Sequence, residues 1–393
     1  MNAMSNPIPS TRQGEAAIAE GIPLARPRVL DPEAVQALVG DILGGGTLTN
    51  GPLVRTFEER AARYLGVRHC VAVSSCTAGL MLVLRASDLT GDVVIPSFTF
   101  AATAHAVAWN GLRPVFADIE PGTLTLSPDS VRRAIGDRTS AILATHIFGT
   151  PCRVEELREI ADERSVRLVF DAAHAFGSRH GDQMVGGFGD AEVFSLSPTK
   201  VLFAGEGGLI TTNDDLLAER CRIGRDYGNP GDYDCRFVGL NARMSELHAA
   251  VALASFEDLE DRLAERLELE GAYRHALTDI PGVSFPSVLP GDRSTVKDLT
   301  ILLDPGVFGM GPDALGRALG SVGIETKRYY APPVHSMQAY SSLGPPESDL
   351  SVTSDVASRT LTLPLWGGMG VERVEHVAQA IRRAHADGSD PRA

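Results

Sequence analysis

Seven short apolar segments, separated by stretches with helical periodicity, constrain the fold of this chain more than any other feature of its sequence. Short buried strands that alternate with helices are typical of a mostly parallel sheet covered by helices on both faces. In such α/β sheets, ligands bind at the carboxyl ends of the strands, so functional residues are expected where the strands end. The predicted strands are residues 70–73, 93–95, 114–116, 140–144, 167–170, 192–194 and 209–212.

The length of the chain predicts more than one domain. At 393 residues it exceeds the size at which a single hydrophobic core usually stops growing. The alternation of strands and helices ends near residue 255, and a long charged helix and an α+β pattern follow. We predict an N-terminal arm over residues 1–28, a large α/β domain over 29–255, a small C-terminal α+β domain over 256–385 and a tail over 386–393.

Charge and cysteine content narrow the class of protein and its location. The formal net charge of -14 argues against nonspecific binding to nucleic acid or to an anionic membrane. Five cysteines, an odd number without C-x-x-C spacing, suit a reducing compartment. The sequence predicts neither a signal peptide nor a membrane span. We therefore expect a cytoplasmic enzyme without a metal site and without nucleic-acid or membrane partners.

Lys200 lies in the run F-S-L-S-P-T-K-V-L-F-A-G-E-G-G, between hydroxyl-bearing residues and a glycine-rich turn. Such flanking residues favour turns and let other groups approach the backbone closely. A lysine that forms a Schiff base with an aldehyde needs a constrained, partly desolvated position of this kind. Lys200 is therefore a candidate to carry pyridoxal phosphate (PLP), although the run by itself is equally consistent with an exposed loop lysine.

Asp171 ends the apolar strand of the run R-L-V-F-D-A-A-H-A-F-G. A carboxylate in that position is costly to bury unless it meets a positive partner. A protonated pyridine nitrogen is such a partner, because the carboxylate keeps the ring able to accept electrons. His174, three residues later, could pack against that ring or bond its phenolic oxygen, or it could be a structural histidine at a helix start.

Three further strand ends carry residues with two possible roles. Cys76 and Thr77 begin a helix after the first strand, so this turn could hold a phosphate or could simply cap the helix. Phe100 could stack on a planar ring or pack in the core. His146 could contact substrate or satisfy backbone groups. Tyr329 and His335, in a proline-stiffened loop, could line a cleft.

Taken together and in this order, the motifs resemble the DegT/DnrJ/EryC1/StrS family of PLP-dependent sugar aminotransferases. The resemblance extends over most of the chain and includes the runs S-S-C-T-A-G-L, P-S-F-T-F-A-A-T-A-H-A-V, F-D-A-A-H-A-F-G, S-L-S-P-T-K and G-L-N-A-R-M-S-E. It implies an α/β protein of fold type I, similar to aspartate aminotransferase, with a central mostly parallel seven-stranded sheet and a smaller C-terminal α+β domain.

The resemblance also implies roles for the residues that match the family motifs. Lys200 would carry the cofactor and move the proton at the substrate carbon, and Asp171 would pair with the pyridine nitrogen. Asn241 would reach the phosphate from a second subunit, which requires a homodimer with shared active sites. The remaining cofactor contacts would come from Cys76 through its backbone, Thr77 and Ser195 at the phosphate, and Phe100 and His174 at the ring, with His146, Tyr329 and His335 as candidates for substrate contact.

Within the family, the motifs are most similar to the branch that aminates C4 of a dTDP-linked 4-keto-6-deoxyglucose. The resemblance therefore implies a ping-pong transfer from L-glutamate to a keto sugar bound to a nucleotide. Leu196 and Ser197 replace residues common in relatives, so the substrate side of the site could differ. The alternatives are an aminotransferase acting at C3 or on a pentose or cyclitol, and a PLP-binding protein without catalysis. A nicotinamide-dependent dehydrogenase is disfavoured because no G-x-G-x-x-G follows the early strands.

Overall fold

The computed structural model describes residues 21–29, 31–343 and 349–388. Its strands are β1 (His69–Val73), β2 (Asp92–Pro96), β3 (Arg113–Ala117), β4 (Thr139–Thr145), β5 (Arg167–Asp171), β6 (Arg179–His180), β7 (Gln183–Met184), β8 (Ala191–Ser195), β9 (Gly208–Thr212), β10 (Val283–Ser284), β11 (Leu299–Leu303) and β12 (Thr360–Leu363). Its α-helices are α1 (Pro32–Gly45), α2 (Pro52–Leu65), α3 (Cys76–Ala86), α4 (Ala101–Trp109), α5 (Pro128–Ala134), α6 (Val154–Arg164), α7 (Asp215–Gly224), α8 (Glu246–Glu257), α9 (Leu259–Leu277), α10 (Pro305–Phe308), α11 (Pro312–Ser321), α12 (Ser351–Arg359) and α13 (Val371–Gly388).

A seven-stranded sheet in the order β1-β9-β8-β5-β4-β2-β3 forms the centre of the large α/β region. Strand β9 runs antiparallel to its neighbours β1 and β8, and the other pairs are parallel. The predicted α/β fold is therefore confirmed. Both ends of each predicted strand lie within one residue of the ends of an observed strand. Because β2, β4, β5 and β8 are parallel, their carboxyl ends meet at one edge of the sheet.

Alternate residues of each strand enter different cores, as the period of two residues in a β-strand requires. Val71, Val193 and Ile210 belong to a core that also contains buried residues of α3, α4 and α7. Ala72 and Phe194, from the alternate positions, pack with buried residues of α2 and α8. Burial on both faces explains why the strands have continuous apolar sequences rather than alternating ones.

Two glycines fix the start of α3 against the sheet. A Cβ atom at Gly79 would lie 2.7 Å from a methyl carbon of Val193, so only glycine lets the helix approach the sheet so closely. A Cβ atom at Gly208 would lie 2.6 Å from the backbone nitrogen of Cys76. The first turn of α3 is therefore held directly beside the start of β9.

A second region is built on the antiparallel sheet β10-β11-β12. Its core joins these strands to the long helix α9 and to α11 and α13. Strand β12 and helix α12 were not predicted. Helix α13 continues to Gly388, so it includes the first three residues of the predicted tail.

The division of the chain at residue 255 stays a prediction. The junction between α8 and α9, at Asp258, lies three residues beyond that position. In the predicted N-terminal arm, residues 1–20 lie outside the described residues, whereas Ile22 forms a β-bridge with Ile324. Among the helices that the structure describes, none combines the length and the apolar character needed to cross a membrane.

Candidate active site

Asp171 lies at the carboxyl end of β5, where it is buried, with the Cys76 thiol 3.9 Å from its Oδ1 and two closer donors. The hydroxyl of Thr103 donates to its Oδ2 at 2.7 Å, and the amide of Ala173 donates to its Oδ1 at 3.1 Å. Burial raises the pKa of Asp171, whereas both hydrogen bonds and the nearby Lys200 oppose this rise because they favour the ionised carboxylate. The site therefore contains a fixed buried carboxylate at the strand end that the sequence indicated.

The first turn of α3 faces the same edge of the sheet. The Ser75 hydroxyl accepts the amide of Ala78 at 3.1 Å, so the capping role considered for this turn is observed. The amides of Cys76 and Thr77, in the first turn, have no carbonyl partner within the helix, so they are also available to an anion. Burial and the neighbouring Asp171 raise the pKa of the Cys76 thiol well above its usual value, so this thiol is not a ready nucleophile.

Lys200 lies in a turn, where its amide donates to the carbonyl of Ser197 at 3.0 Å. Burial lowers the pKa of Lys200 to about 8, and the positive charge of Lys297 acts in the same direction. Asp298, Cys76 and Asp171 act in the opposite direction. Lys200 is therefore not an ordinary exposed loop lysine, because its amine shares a desolvated environment with four other ionisable groups.

His174 is buried in the loop that follows β5. Its Nδ1 accepts the amide of Phe148 at 3.1 Å, so the proton of the neutral ring lies on Nε2. The Tyr330 hydroxyl is 3.5 Å from Nε2. Burial and the positive charge of Lys200 lower the pKa of His174 well below its usual value, so the ring is neutral. A neutral imidazole is better suited than a charged one to pack against a cofactor ring.

A charged pair that the sequence analysis missed lies beside His174. The Lys297 ammonium donates to Asp298 Oδ1 at 2.6 Å, and Asp298 Oδ2 is 4.0 Å from His174 Nε2. Both charged residues are buried, and burial of such groups is rare unless they are paired. The sequence shows only a Lys-Asp doublet before an apolar strand, and their approach to His174 depends on contacts between distant parts of the chain. Thr103 was missed for the same reason.

His146 does not line the site. It is fully buried and stacked on Phe170, with ring centroids 4.6 Å apart. Its Nδ1 accepts the amide of Cys152 at 2.9 Å, and its Nε2 lies 3.5 Å from Glu192. Of the two roles considered for His146, the structure therefore corresponds to the one in which the ring satisfies a backbone group, and contact with substrate has no support in this geometry.

Phe100 and Tyr329 both have ring contacts with Tyr330. Phe100 precedes α4 and is 60% exposed, so the alternative of core packing was wrong. Its ring centroid is 6.4 Å from that of Tyr330, which in turn stacks on Tyr329 at 5.1 Å. His335 is partly buried, and its Nδ1 lies 2.7 Å from the Ser97 hydroxyl. Contact of Tyr329 or His335 with substrate stays a prediction.

The two remaining predicted phosphate contacts occupy different surroundings. Ser195 ends β8, is nearly buried, and its hydroxyl lies 3.3 Å from that of Ser197. Asn241 is exposed, and its side-chain oxygen accepts from Arg243 at 3.2 Å. An exposed Asn241 is compatible with a contact to another subunit. The phosphate role of both residues stays a prediction.

The residues at this edge of the sheet fit pyridoxal phosphate. A buried carboxylate, a desolvated lysine amine and the free amides of a helix start meet the needs of a pyridine nitrogen, an aldehyde and a phosphate respectively. The glycine at position 208 leaves the start of α3 uncovered where a Cβ atom would collide with it. Fold and site together define a PLP-dependent enzyme of fold type I.

Comparisons with known proteins narrow this class. The model of the DegT/DnrJ/EryC1/StrS aminotransferase family matches residues 30–382, and the chain belongs to this family. The chain is 37% identical over 344 residues to the erythromycin biosynthesis sensory transduction protein EryC1 of Saccharopolyspora erythraea, covering 87% of this chain and 92% of that protein. It is also similar to the solved structure of DesI in the presence of its TDP-sugar product, with a TM-score of 0.90, 38% identity and 95% of both chains covered.

Named sugar transaminases among the relatives differ in the position that they aminate. The chain is 32% identical to the dTDP-4-amino-4,6-dideoxy-D-glucose transaminase of Shigella dysenteriae, covering 85% of this chain and 90% of that one. It is 33% identical to the dTDP-3-amino-3,4,6-trideoxy-alpha-D-glucose transaminase of Streptomyces venezuelae, covering 88% and 90%. The protein is thus a PLP-dependent sugar aminotransferase, and identity alone does not separate C4 from C3.

Proposed function

We propose that the protein transfers an amino group from L-glutamate to the C4 keto group of a dTDP-linked 6-deoxy sugar, in deoxysugar biosynthesis. The observation that carries the proposal is the placement, in a sugar aminotransferase fold, of a buried Asp171 carboxylate at the end of β5 and of the Lys200 amine in the turn after β8, each within the electrostatic influence of the other. The resemblance of the strand-end motifs to the C4 branch supports C4. A cytoplasmic location stays a prediction from composition.

Each polar residue has a task in this reaction. Bound pyridoxal phosphate supplies a ring that accepts electrons from the substrate carbon. With its pKa lowered to about 8, Lys200 is close to the pH at which a group can both accept and return a proton efficiently. Asp171 places a negative charge at the far end of the site, and the Thr103 hydroxyl holds that charge in place.

The proposed site is completed by a second subunit. Asn241 would supply a donor to the cofactor phosphate of the partner site, in addition to the amides at the start of α3 and the Ser195 hydroxyl. Its exposure leaves its side chain available for such a contact. We therefore propose a homodimer in which each active site contains residues of both chains.

The experiment is a panel of dTDP-linked keto sugars incubated with the enzyme and L-glutamate. Product regiochemistry is determined by NMR, and 2-oxoglutarate formation is measured separately. We expect an amine at C4 and stoichiometric 2-oxoglutarate. The Lys200→Ala variant should show no turnover, whereas Lys327→Arg, at an exposed lysine, should retain it.

Other outcomes would replace parts of the proposal. An amine at C3 would support the alternative suggested by the C3 transaminase of similar identity. Conversion of the bound cofactor by glutamate without an aminated sugar would mean that the acceptor is outside this panel. Normal turnover by Lys200→Ala would overturn the assignment of the cofactor lysine.

A further inference from the structure

The pair formed by Lys297 and Asp298 has no role in the proposed reaction, although it is buried beside His174. The chain has three lysines, Lys200, Lys297 and Lys327, and otherwise uses arginine for positive charge. Two of these lysines influence each other electrostatically at the active site. Asp298 Oδ2 is buried, and it has no hydrogen-bond partner within the described part of the chain. A buried carboxylate oxygen without a partner is costly unless it serves a neighbouring donor.

The segment that contains this pair is fixed to the active-site loops. The amide of Lys297 donates to the carbonyl of Phe148 at 2.9 Å, and the Phe148 amide donates to His174. The Thr295 hydroxyl donates to the carbonyl of His174 at 2.6 Å. Gly149 allows this approach, because a Cβ atom there would lie 2.1 Å from the Thr295 hydroxyl oxygen. The pair is therefore positioned by the same contacts as His174.

We propose that Lys297 and Asp298 are positioning residues that balance the charge around the Lys200 amine and orient His174 through its Nε2 proton. Asp298 Oδ2 is the acceptor that this proton faces, at 4.0 Å, with the Tyr330 hydroxyl beside it. The inference rests on the proposed role of Lys200 as the cofactor lysine. It adds a second buried carboxylate to the site, beside His174.

The two charges act on Lys200 in opposite directions. The Lys297 ammonium disfavours a second positive charge nearby, whereas the Asp298 carboxylate favours it. In the intact pair these effects oppose each other. Removing one partner leaves the other uncompensated, so each single substitution should shift the titration of Lys200 with its own sign.

Other charged groups also surround Lys200 and must be held constant. Asp171 faces it from β5, Cys76 from α3 and His174 from the loop after β5. Lys200 also lines a cavity of about 200 Å³ with charged residues of the N-terminal segment, of α9 and of the junction that precedes α9. These are Arg26, Arg28, Asp258, Asp261, Arg262, Glu265 and Arg266. All of them remain in each variant, so they contribute equally to each measurement.

The test is competitive acetylation of the cofactor-free protein, with each lysine quantified by mass spectrometry across a pH series. Exposed Lys327 serves as the internal reference. We expect Lys297→Met to raise the apparent pKa of Lys200 and Asp298→Asn to lower it, each by roughly one pH unit. Lys297→Arg, which keeps the charge, and the double variant Lys297→Met/Asp298→Asn should both stay close to the wild type.

Shifts of the same sign in both single variants, or no shift in either, would overturn the proposal. Thermal melting of each variant shows whether it folds. If Asp298→Asn does not fold, the other two variants still test the proposal, because Lys297→Met should raise the apparent pKa of Lys200 and Lys297→Arg should leave it unchanged. In the holoenzyme, the pH profile of kcat/KM should move in the same direction as the labelling. Labelling shifts without sugar amination would contradict only the proposed substrate, whereas sugar amination without labelling shifts would contradict only this inference.

Discussion

At the scale of single residues, the Asp171 carboxylate depends on a neighbour that a strand pattern does not reveal. Thr103 lies in the first turn of α4, and its hydroxyl is the shorter of the two hydrogen bonds to Asp171. This bond favours the ionised carboxylate against the cost of burial. A hydrogen bond to a charged group contributes about 1.5 to 3 kcal/mol, so its loss should be measurable.

We expect Thr103→Val to lower kcat/KM by roughly tenfold to a hundredfold and to weaken pyridoxal phosphate binding. The reason is that the pKa of Asp171 rises further when the hydroxyl is removed, so less of the carboxylate is ionised. Steady-state kinetics and equilibrium dialysis of the cofactor check this. Thr103→Ser, which keeps the hydroxyl, should stay near the wild type, and equal activity of the valine variant would show that the bond is dispensable.

Sequence reasoning identified site residues where local pattern and chemistry coincide. Asp171 and Lys200 stand out because a charged residue at a strand end or in a glycine-rich turn conflicts with its surroundings unless it has a task. Thr103, Lys297 and Asp298 carry no such local conflict. Their roles arise from contacts with distant residues, such as the bond between Lys297 and Phe148, which no periodicity encodes.

At the scale of elements, the buried glutamate of the run R-M-S-E links α8 to the start of α2. Glu246 Oε1 accepts the amides of Gly51 and Val54, at 2.8 and 3.0 Å, and Oε2 accepts that of Leu53 at 2.8 Å. These amides have no partners within α2, because they lie at its first turn. A side chain from another helix therefore caps α2, because the N-cap residue Gly51 has no side chain that could do so.

Replacing Glu246 by alanine should lower the free energy of unfolding by about 3 kcal/mol, since three buried or partly buried amides lose their acceptor. Glu246→Gln retains an oxygen for two of the amides and should lose less. Denaturant unfolding, monitored by circular dichroism, compares the two variants. If both lose the same free energy, charge rather than hydrogen bonding to the amides would explain the role of Glu246.

His180 joins two elements through a pair of contacts that respond to pH. Its Nδ1 and Nε2 each lie 2.7 Å from a carboxylate, of Asp292 and Glu155 respectively. Burial works against the charged ring, but both carboxylates outweigh it and raise the pKa of His180. The pKa of Glu155 is lowered in turn. Partial burial raises this pKa, but the hydrogen bond with His180 and the charge of His180 lower it.

The stabilisation by His180 should therefore be confined to a window of pH. Because the pKa of His180 is raised in the folded state, its stabilisation is complete below the unfolded pKa of about 6.5. It is lost as the pH rises through the folded pKa. Because the pKa of Glu155 is lowered in the folded state, its stabilisation is present above the unfolded pKa of about 4.5. It is lost as the pH falls through the folded pKa. We expect His180→Gln to be less stable than the wild type by about 1 kcal/mol between these values, because the Glu155 side chain is exposed and solvent weakens its contact with His180. Thermal melts between pH 4 and 9 should show the gap closing on both sides, and a constant gap would contradict the linkage.

The elements themselves were predictable to different degrees. The seven strands of the large sheet could be predicted because both of their faces are buried and glycine, serine or asparagine residues lie near their ends. Strand β12 has four residues, and its T-L-T-L pattern alone predicts little until it pairs with β11. Helix α12 is short and has a polar sequence, so its register depends on the buried contacts of Val356 and Ala357.

At the scale of the whole molecule, the active site joins both regions of the chain. Lys200 and Asp171 belong to the large sheet region, whereas Lys297 and Asp298 precede β11 of the small sheet. The two regions meet through Thr295, whose hydroxyl bonds the loop of His174. Any relative movement of the regions would therefore change the surroundings of the Lys200 amine directly.

The proposed dimer predicts that two inactive variants complement each other. If Asn241 serves the partner site, co-expressed Lys200→Ala and Asn241→Ala chains form heterodimers in which one site carries both substitutions and the other carries neither. Random pairing makes about half of the dimers heterodimers, so about a quarter of all sites should be intact. We expect the purified mixture to recover roughly a quarter of wild-type turnover, whereas each variant alone should be strongly impaired.

Differently tagged chains allow the heterodimer to be isolated by two affinity steps, which raises the expected recovery to about half of the wild-type value per dimer. The control is a heterodimer of Lys200→Ala with Asp171→Asn, two residues that would serve the same subunit, since each of its sites retains a defect. Recovery in that control, or none in the Asn241 pairing despite an intact dimer by sedimentation, would contradict a site shared between subunits. Because both pairings contain the same Lys200→Ala chain, the comparison isolates the subunit to which Asn241 contributes.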